Sequence, residues 1–292
     1  MNLRTAILSA LALLISACGS APGEEQDASA ASPILYEITS ADGDIEGWLF
    51  GTIHALPDET EWRTDLLQQT ISNADYLIVE IAQLNNQSIM VDTFMALSRT
   101  PDQPDIGTRV DARERPQLFD LIKRAGYSPH DFASVETWAA ALMLAQVNAT
   151  GNPANGVDRA LLKDFEGQDI REFEGAALQL GIFDQLPEAE QRDLLAGVLE
   201  ESAADDPTRL RRAWLAGNED ILVEATTTGL MADPELRKAI LTERNDAWMT
   251  QLEPMLAQPE RPFVAVGAAH IVGPDGLAAQ LGARGYTVTR LQ

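Results

Sequence analysis

The sequence has little positive charge and almost no cysteine. Its 292 residues include 21 lysines and arginines against 45 aspartates and glutamates, which gives a net charge of −24. A surface this acidic repels phosphate backbones and anionic lipid headgroups, which argues against a nucleic-acid partner. The chain has one cysteine, Cys18, so it cannot form an internal disulfide. No nucleotide cofactor is expected.

Familiar hydrolase motifs are also missing. The sequence contains no His-Glu-x-x-His motif, which excludes the usual zincin arrangement. It contains no Gly-x-Ser-x-Gly turn of the kind that presents a nucleophilic serine. Histidine is scarce as well, with three residues in the chain. A hydrolase built from this sequence would therefore need an uncommon site.

The N-terminus resembles a bacterial lipoprotein signal. An apolar run over residues 5–15 is too short to span a membrane and is typical of a secretory signal. It leads into the sequence ISAC, which resembles a lipobox, so residues 1–17 are predicted to be removed and Cys18 to be acylated. Gly19 follows in place of aspartate, which favours an outer-membrane anchor facing the periplasm. The lipid bilayer would then be a partner through Cys18, and an ordinary signal peptide is the alternative.

The remaining chain is predicted to form a tether and one α/β domain. Residues 18–33 are small and polar, as in a flexible linker, and residues 34–292 form the domain. Short strand-like segments alternate with helical patterns, which predicts a mostly parallel sheet flanked by helices. Large helical insertions are expected near 90–150 and 176–258. The predicted strands are 34–39, 47–50, 76–80, 170–173, 263–266 and 286–291, and the clearest helices are 113–125, 134–148, 188–201, 207–216 and 234–255. Asp206 and Asp233, each followed by proline, are expected to cap the last two helices.

Two histidines occur in matching segments. Gly51 and Gly267 each follow an apolar strand-like run, and His54 and His270 come three residues later. Ligands of open α/β sheets bind outside the carboxyl ends of the strands. If these two strands are neighbours, both imidazoles face one crevice. One such histidine would more often be a core residue, but the matched pair favours a site.

Two glutamates share this setting. Glu80 ends the strand-like segment YLIVE and Glu174 follows IREF, and a buried carboxylate needs a partner. Two imidazoles with two carboxylates could hold a divalent metal or carry out acid–base chemistry without one. Arg244 falls on the apolar stripe of its predicted helix. It is expected to pair with one of these glutamates or to stabilise an oxyanion, and an arginine that reaches out to solvent is the alternative.

Several motifs together resemble the TraB/GumN family, which includes the Tiki proteins. They are GTIH at 51–54, LIVE at 77–80, NGVD at 155–158, AWLAG at 213–217, ERNDAW at 243–248 and HIVGPDGL at 270–277. The resemblance covers residues 34–292 in order. It implies an active-site core of His54, Glu80 and His270. It also raises the prospect of a site role for Asp158, for which a helix cap is the alternative, and it draws attention to Asn245.

The resemblance implies a metal-dependent peptidase, here anchored to lipid. In this hypothesis manganese, cobalt or zinc is held by His54, His270 and Glu80 or Glu174, and the substrate is a peptide or protein. Two alternatives stay open, because the family is distantly similar to haem-uptake lipoproteins and erythromycin esterases and a fold does not fix a reaction. One is a lipoprotein that binds a metal, haem or a peptide signal without chemistry. The other is a metal-free esterase with His54 as the base.

Overall fold

A six-stranded sheet forms the centre of the protein. The computed structural model describes residues 31–147, 149, 151–202 and 206–292, so the predicted signal segment and Cys18 lie outside the described residues. The strands lie in the order β4-β3-β5-β2-β1-β6 across the sheet. They are β1 (Leu35–Thr39), β2 (Ile45–Thr52), β3 (Tyr76–Val79), β4 (Ile170–Glu172), β5 (Pro262–Gly267) and β6 (Thr287–Arg290).

The sheet is mostly parallel, as predicted. Strands β2, β5, β3 and β4 run parallel to one another, whereas β1 is antiparallel to both of its neighbours, β2 and β6. Every residue of β3 and β5 is buried, which suits strands covered on both faces. All six predicted strands are present. Strand β2 begins earlier than predicted because its exposed start pairs with β1, Ile45 opposite Thr39.

Helices cover the sheet and build a second core beside it. They are α1 (Asp65–Asn73), α2 (Gln87–Leu97), α3 (Arg115–Arg124), α4 (Thr137–Ala145), α5 (Val157–Asp164), α6 (Ala176–Asp184), α7 (Glu188–Glu201), α8 (Arg209–Leu215), α9 (Glu219–Ala225), α10 (Pro234–Arg237), α11 (Glu243–Leu256), α12 (Ala268–Ile271) and α13 (Leu277–Ala283). One apolar cluster lies against the sheet, and another joins α3, α4, α6 and α7. The predicted helical insertions are therefore present, but they divide between the two clusters. The helices α3, α4, α6 and α7 form a lobe with its own core, whereas α8, α9 and α11 pack in the cluster against the sheet. Within the described residues, no helix is long and apolar enough to cross a membrane.

The helix predicted at 207–216 begins later than expected. Its first residue is Arg209. The Asp206 carboxylate accepts a hydrogen bond from the Thr208 amide at 3.1 Å and forms an ion pair with Arg212 at 2.6 Å, and these contacts hold residues 206–208 in a turn. Asp206 therefore shapes a turn ahead of α8, and the prediction that it caps a helix beginning at Pro207 is wrong.

The long helix predicted over 234–255 is interrupted. Asp233 caps α10 as expected, since its carboxylate accepts from the Leu236 amide at 2.8 Å. A π-helical turn over Lys238–Thr242 then separates α10 from α11. Such turns are often found at functional sites. Here the turn lies directly before Arg244, whose Nη1 donates to the Ile240 carbonyl at 3.1 Å.

Candidate functional site

The two matching histidine segments lie at one edge of the sheet. Strands β2 and β5 are parallel neighbours, with Thr52 opposite Gly267. His54 follows β2, and His270 lies in α12 directly after β5. Glu80 follows β3, on the other side of β5. The expectation that these side chains share one edge is confirmed.

His54 is held by a buried carboxylate. Its Nδ1 lies 2.8 Å from Asp158 Oδ2, and Thr52 Oγ1 donates to Asp158 Oδ1 at 2.6 Å. Asp158 lies in the first turn of α5 but makes no cap there, so the cap interpretation is wrong and the side chain instead orients the imidazole. Burial by itself would lower the pKa of His54. The Asp158 carboxylate acts in the opposite direction through both its charge and its hydrogen bond and outweighs burial, so the pKa of His54 is raised to about 9. The ring is therefore an imidazolium at neutral pH.

Arg244 lies at the centre of the site and is 4% exposed. Its Nε and Nη2 donate to the two oxygens of Glu174, each at 2.9 Å, and Nη2 also donates to Glu80 Oε2 at 2.7 Å. Its Nη1 lies 3.1 Å from the Ile240 carbonyl and 3.0 Å from His270 Nε2. The predicted pairing is present with both glutamates. Every N–H of the guanidinium has a partner, so this arrangement leaves none for an oxyanion.

His270 is a neutral imidazole with both nitrogens hydrogen-bonded. Its Nδ1 lies 2.6 Å from Asn245 Oδ1, while the Asn245 amide donates to the Asp275 carbonyl at 2.8 Å. The proton is therefore assigned to Nδ1, and Nε2 accepts from Arg244. Burial and then the guanidinium lower the pKa of His270 to about 3. Asn245 thus fixes the tautomer of His270.

Glu80 is an ionised carboxylate with three donors. Burial raises its pKa, but Arg244 and both histidines outweigh burial and hold the pKa well below its usual range. Its Oε1 accepts from the Gly267 amide at 2.8 Å, and Oε2 accepts from Gln179 Nε2 at 3.1 Å as well as from Arg244. A side chain at Gly267 would lie 3.4 Å from Glu80 Oε1 and 3.9 Å from His54 Nε2. Glycine here lets the backbone lie between these two groups.

Gly51 has a different task from Gly267. A Cβ at Gly51 would come within 3.1 Å of the Ala268 side chain, so glycine allows α12 to lie close against β2. The Gly51 carbonyl also accepts from Trp214 Nε1 at 2.7 Å. Gly51 therefore serves the packing of α12 against β2, whereas Gly267 keeps the space between Glu80 and His54 free of a side chain.

Two residues that the sequence did not identify as part of the site contact it. Gln179 binds Glu80 from the helical lobe, and its Oε1 is buried without a partner. Trp248 Nε1 donates to Glu174 at 2.8 Å, and its ring lies 4.4 Å from that of His270. The sequence pattern could have indicated Gln179, because it is a polar residue on the otherwise apolar buried stripe of α6. Trp248 gave none, since a tryptophan on an apolar stripe predicts only packing.

A narrow pocket opens beside His54. The space that a water-sized molecule can enter is about 20 Å³, and the walls are predominantly apolar. They come from the strand ends and from α8 and α9: Thr52, Ile53, Leu210, Trp214, Leu222, Ala225, Gly267, Ala268 and Ala269. One water molecule or a small substrate group can therefore reach the imidazole.

The predicted metal ligands are not gathered as a ligand set. In the described part of the chain, the one group of three histidine, cysteine or acidic side chains whose donor atoms lie within 4.8 Å of one another is Glu190, Asp193 and Asp233, a partly exposed acidic cluster elsewhere. His270 Nε2 and both oxygens of Glu174 accept from Arg244 instead. The residues of the site therefore do not fit a metal in this arrangement.

Comparison with known sequences agrees with the motifs. A sequence model of the TraB/PrgY/gumN family matches residues 34–290, which include all six strands and every described residue of the site. No curated protein matches the chain, and no solved structure does either. Because the match covers nearly the whole α/β domain, the chain belongs to the TraB/PrgY/gumN family.

Proposed function

We propose that this protein is a peptide hydrolase of the bacterial cell envelope, with water as the nucleophile and His54 as the proton-transfer residue. The observation that carries the proposal is the 2.8 Å contact between His54 and Asp158, beside a pocket that His54 itself lines. The carboxylate occupies Nδ1, so Nε2 is the nitrogen left for chemistry. Glu80 stays ionised nearby and balances the positive charge of the imidazolium.

The hydrolytic step needs one proton donor and one acceptor. Water adds to the acyl carbon and the carbon–nitrogen bond breaks. His54 gives its Nε2 proton to the leaving nitrogen, and the surplus proton of the attacking water returns to His54. A pKa of about 9 keeps His54 protonated at neutral pH, as a proton donor to the leaving nitrogen must be. An amine leaves far more readily once protonated, which favours peptides over esters.

A metal-dependent peptidase is the second candidate. The observation in its favour is that both histidines have Nδ1 held by an oxygen, of Asp158 and of Asn245, as metal-binding histidines usually do. A protein that binds a ligand in this crevice without turnover is the third candidate.

Cleavage of a defined peptide mixture separates these candidates. The full chain, purified in detergent, is incubated with the peptides with and without EDTA, and new termini are read by mass spectrometry. Cleavage that persists in EDTA is the expected result. Cleavage that EDTA stops and manganese, cobalt or zinc restores would favour the metal-dependent peptidase. If no peptide is cleaved under any condition, the hydrolase proposal fails.

Asp158→Asn is expected to shift the pH dependence of cleavage. The Asp158 carboxylate raises the pKa of His54, so its removal lowers that pKa. In the wild type, kcat/KM should fall as pH rises through about 9, where His54 loses its proton. In the variant this decrease should move to lower pH by at least about one unit. A pH profile that keeps its position would show that His54 is not the group that titrates.

Lipid anchoring through Cys18 is part of the proposal and is supported by the ISAC sequence alone. Stable attachment requires more than one acyl chain, which a lipidated N-terminal cysteine provides. In a two-membrane bacterium, the wild type should incorporate labelled palmitate and sediment with outer membranes. Cys18→Ser should do neither. Membrane association of the variant equal to that of the wild type would exclude this anchor.

A further inference from the structure

We infer that the Arg244 guanidinium is the resident cation of this site and holds the place that a divalent metal would need. The inference deepens the proposed hydrolase, because it identifies the positive charge on which the same carboxylates depend. It does not depend on turnover, since its consequences are seen in metal binding.

The first argument is that the nitrogen lone pair of His270 that a metal would need already accepts a hydrogen bond. His270 has one nitrogen available to a metal, Nε2, and that atom accepts from Arg244 Nη1 at 3.0 Å. Its other nitrogen is committed to Asn245 at 2.6 Å. A metal on Nε2 would displace a buried guanidinium N–H, which would then lack a partner. Leaving such a donor unsatisfied costs free energy.

The second argument is charge. Glu174 binds Arg244 side-on through both oxygens, and each of these two side chains is 4% exposed. Glu80 contributes a further ionised oxygen at 2.7 Å. These carboxylates already have a cation between them. A divalent ion in contact with the same oxygens would stand next to a buried positive charge, where repulsion is poorly screened.

The third argument is that the backbone fixes Arg244 where it is. The π-helical turn over Lys238–Thr242 directly precedes the arginine, and the Ile240 carbonyl accepts from Nη1. The Trp248 ring lies 4.7 Å from the guanidinium carbon. With partners on every N–H and a ring against it, the guanidinium has no second position prepared for it within this network.

Cobalt binding by the full chain in detergent tests the inference. Co²⁺ is titrated into wild type, Arg244→Ala and Arg244→Lys, and its visible absorption reports coordination by nitrogen. Wild type and Arg244→Lys should show no bound cobalt, because each keeps a cation in the site. Arg244→Ala should bind one Co²⁺, with a Kd at least about tenfold below the highest cobalt concentration at which the wild type shows none. Adding His270→Ala to Arg244→Ala should abolish this binding.

Arg109→Ala is the matched control. Arg109 is also buried, but among the described residues its guanidinium donates to the backbone carbonyls of Pro104, Phe132 and Val135 and to no carboxylate. Its removal should create no cobalt site. The inference is overturned if wild type binds one Co²⁺ that His54→Ala or His270→Ala removes, or if folded Arg244→Ala binds none. If circular dichroism shows that Arg244→Ala does not fold, the wild-type titration decides alone, with no binding supporting the inference and stoichiometric binding overturning it.

Discussion

His54→Ala is expected to lower kcat/KM for peptide cleavage by about 10²- to 10⁴-fold, the usual contribution of a general acid–base residue. The imidazole lines the pocket, and among the described residues Asp158 binds its Nδ1 while its Nε2 makes no hydrogen bond. Its loss would leave the leaving nitrogen without a proton donor. Initial rates at pH 7.5, measured by mass spectrometry on a peptide that the wild type cleaves, give the comparison.

His130→Ala provides the control for this experiment. His130 is exposed in a short turn over Pro129–Phe132, and Phe132 of this turn packs in the core of the helical lobe. Its replacement should leave the rate within about twofold of the wild type. If His54→Ala retained a rate within that range, proton transfer would not pass through His54.

Arg244→Met is expected to destabilise the protein by about 3–5 kcal/mol, because it leaves buried carboxylates without their cation. Glu80 and Glu174 both lie against the guanidinium, and neither is exposed. Methionine approximates the length of the arginine stem but supplies no donor. Urea unfolding followed by circular dichroism at pH 7.5 measures the change in the free energy of unfolding.

Arg209→Met is the matched surface control. Arg209 pairs with Glu224 at 2.5 Å, but both side chains are about half exposed, so its loss should cost no more than about 1 kcal/mol. Adding Glu174→Gln to Arg244→Met should recover part of the lost stability, since it removes one of the uncompensated charges. A destabilisation by Arg244→Met no larger than that by Arg209→Met would mean that the buried ion pairs do not form.

The fold was largely predictable because its central strands are short apolar segments that can be recognised in the sequence. YLIV and PFVAV are continuously apolar, which is typical of strands buried on both faces. The two Gly-x-x-His segments then indicated that β2 and β5 end at one edge. The late start of α8 was not predictable, because it depends on the turn that Asp206 makes with Thr208 and Arg212.

The sequence predicted most of the residues that meet at this edge and the pairing of Arg244 with a glutamate, but it did not predict the other contacts between them. The sequence placed His54, Glu80, Glu174 and His270 at the sheet edge. It did not indicate which side-chain oxygen each histidine or arginine nitrogen would bind. That allocation depends on the π-helical turn, which sets the direction of Arg244, and on α5, which brings Asp158 to His54. Both are tertiary effects without a local sequence signal. The metal-binding role of these residues stays a prediction.

NMR of the histidine side chains tests most directly the claim that His54 is charged and His270 is neutral. The chain contains only three histidines, and the measurement needs no substrate. The full chain, labelled with ¹⁵N-histidine and assigned with single alanine variants, is followed from pH 5 to 10 in detergent. The account predicts that His54 is an imidazolium at pH 7 that titrates near 9, while His270 stays neutral with its proton on Nδ1 throughout. A neutral His54 at pH 7, or a His270 that gains a proton above pH 5, would contradict it.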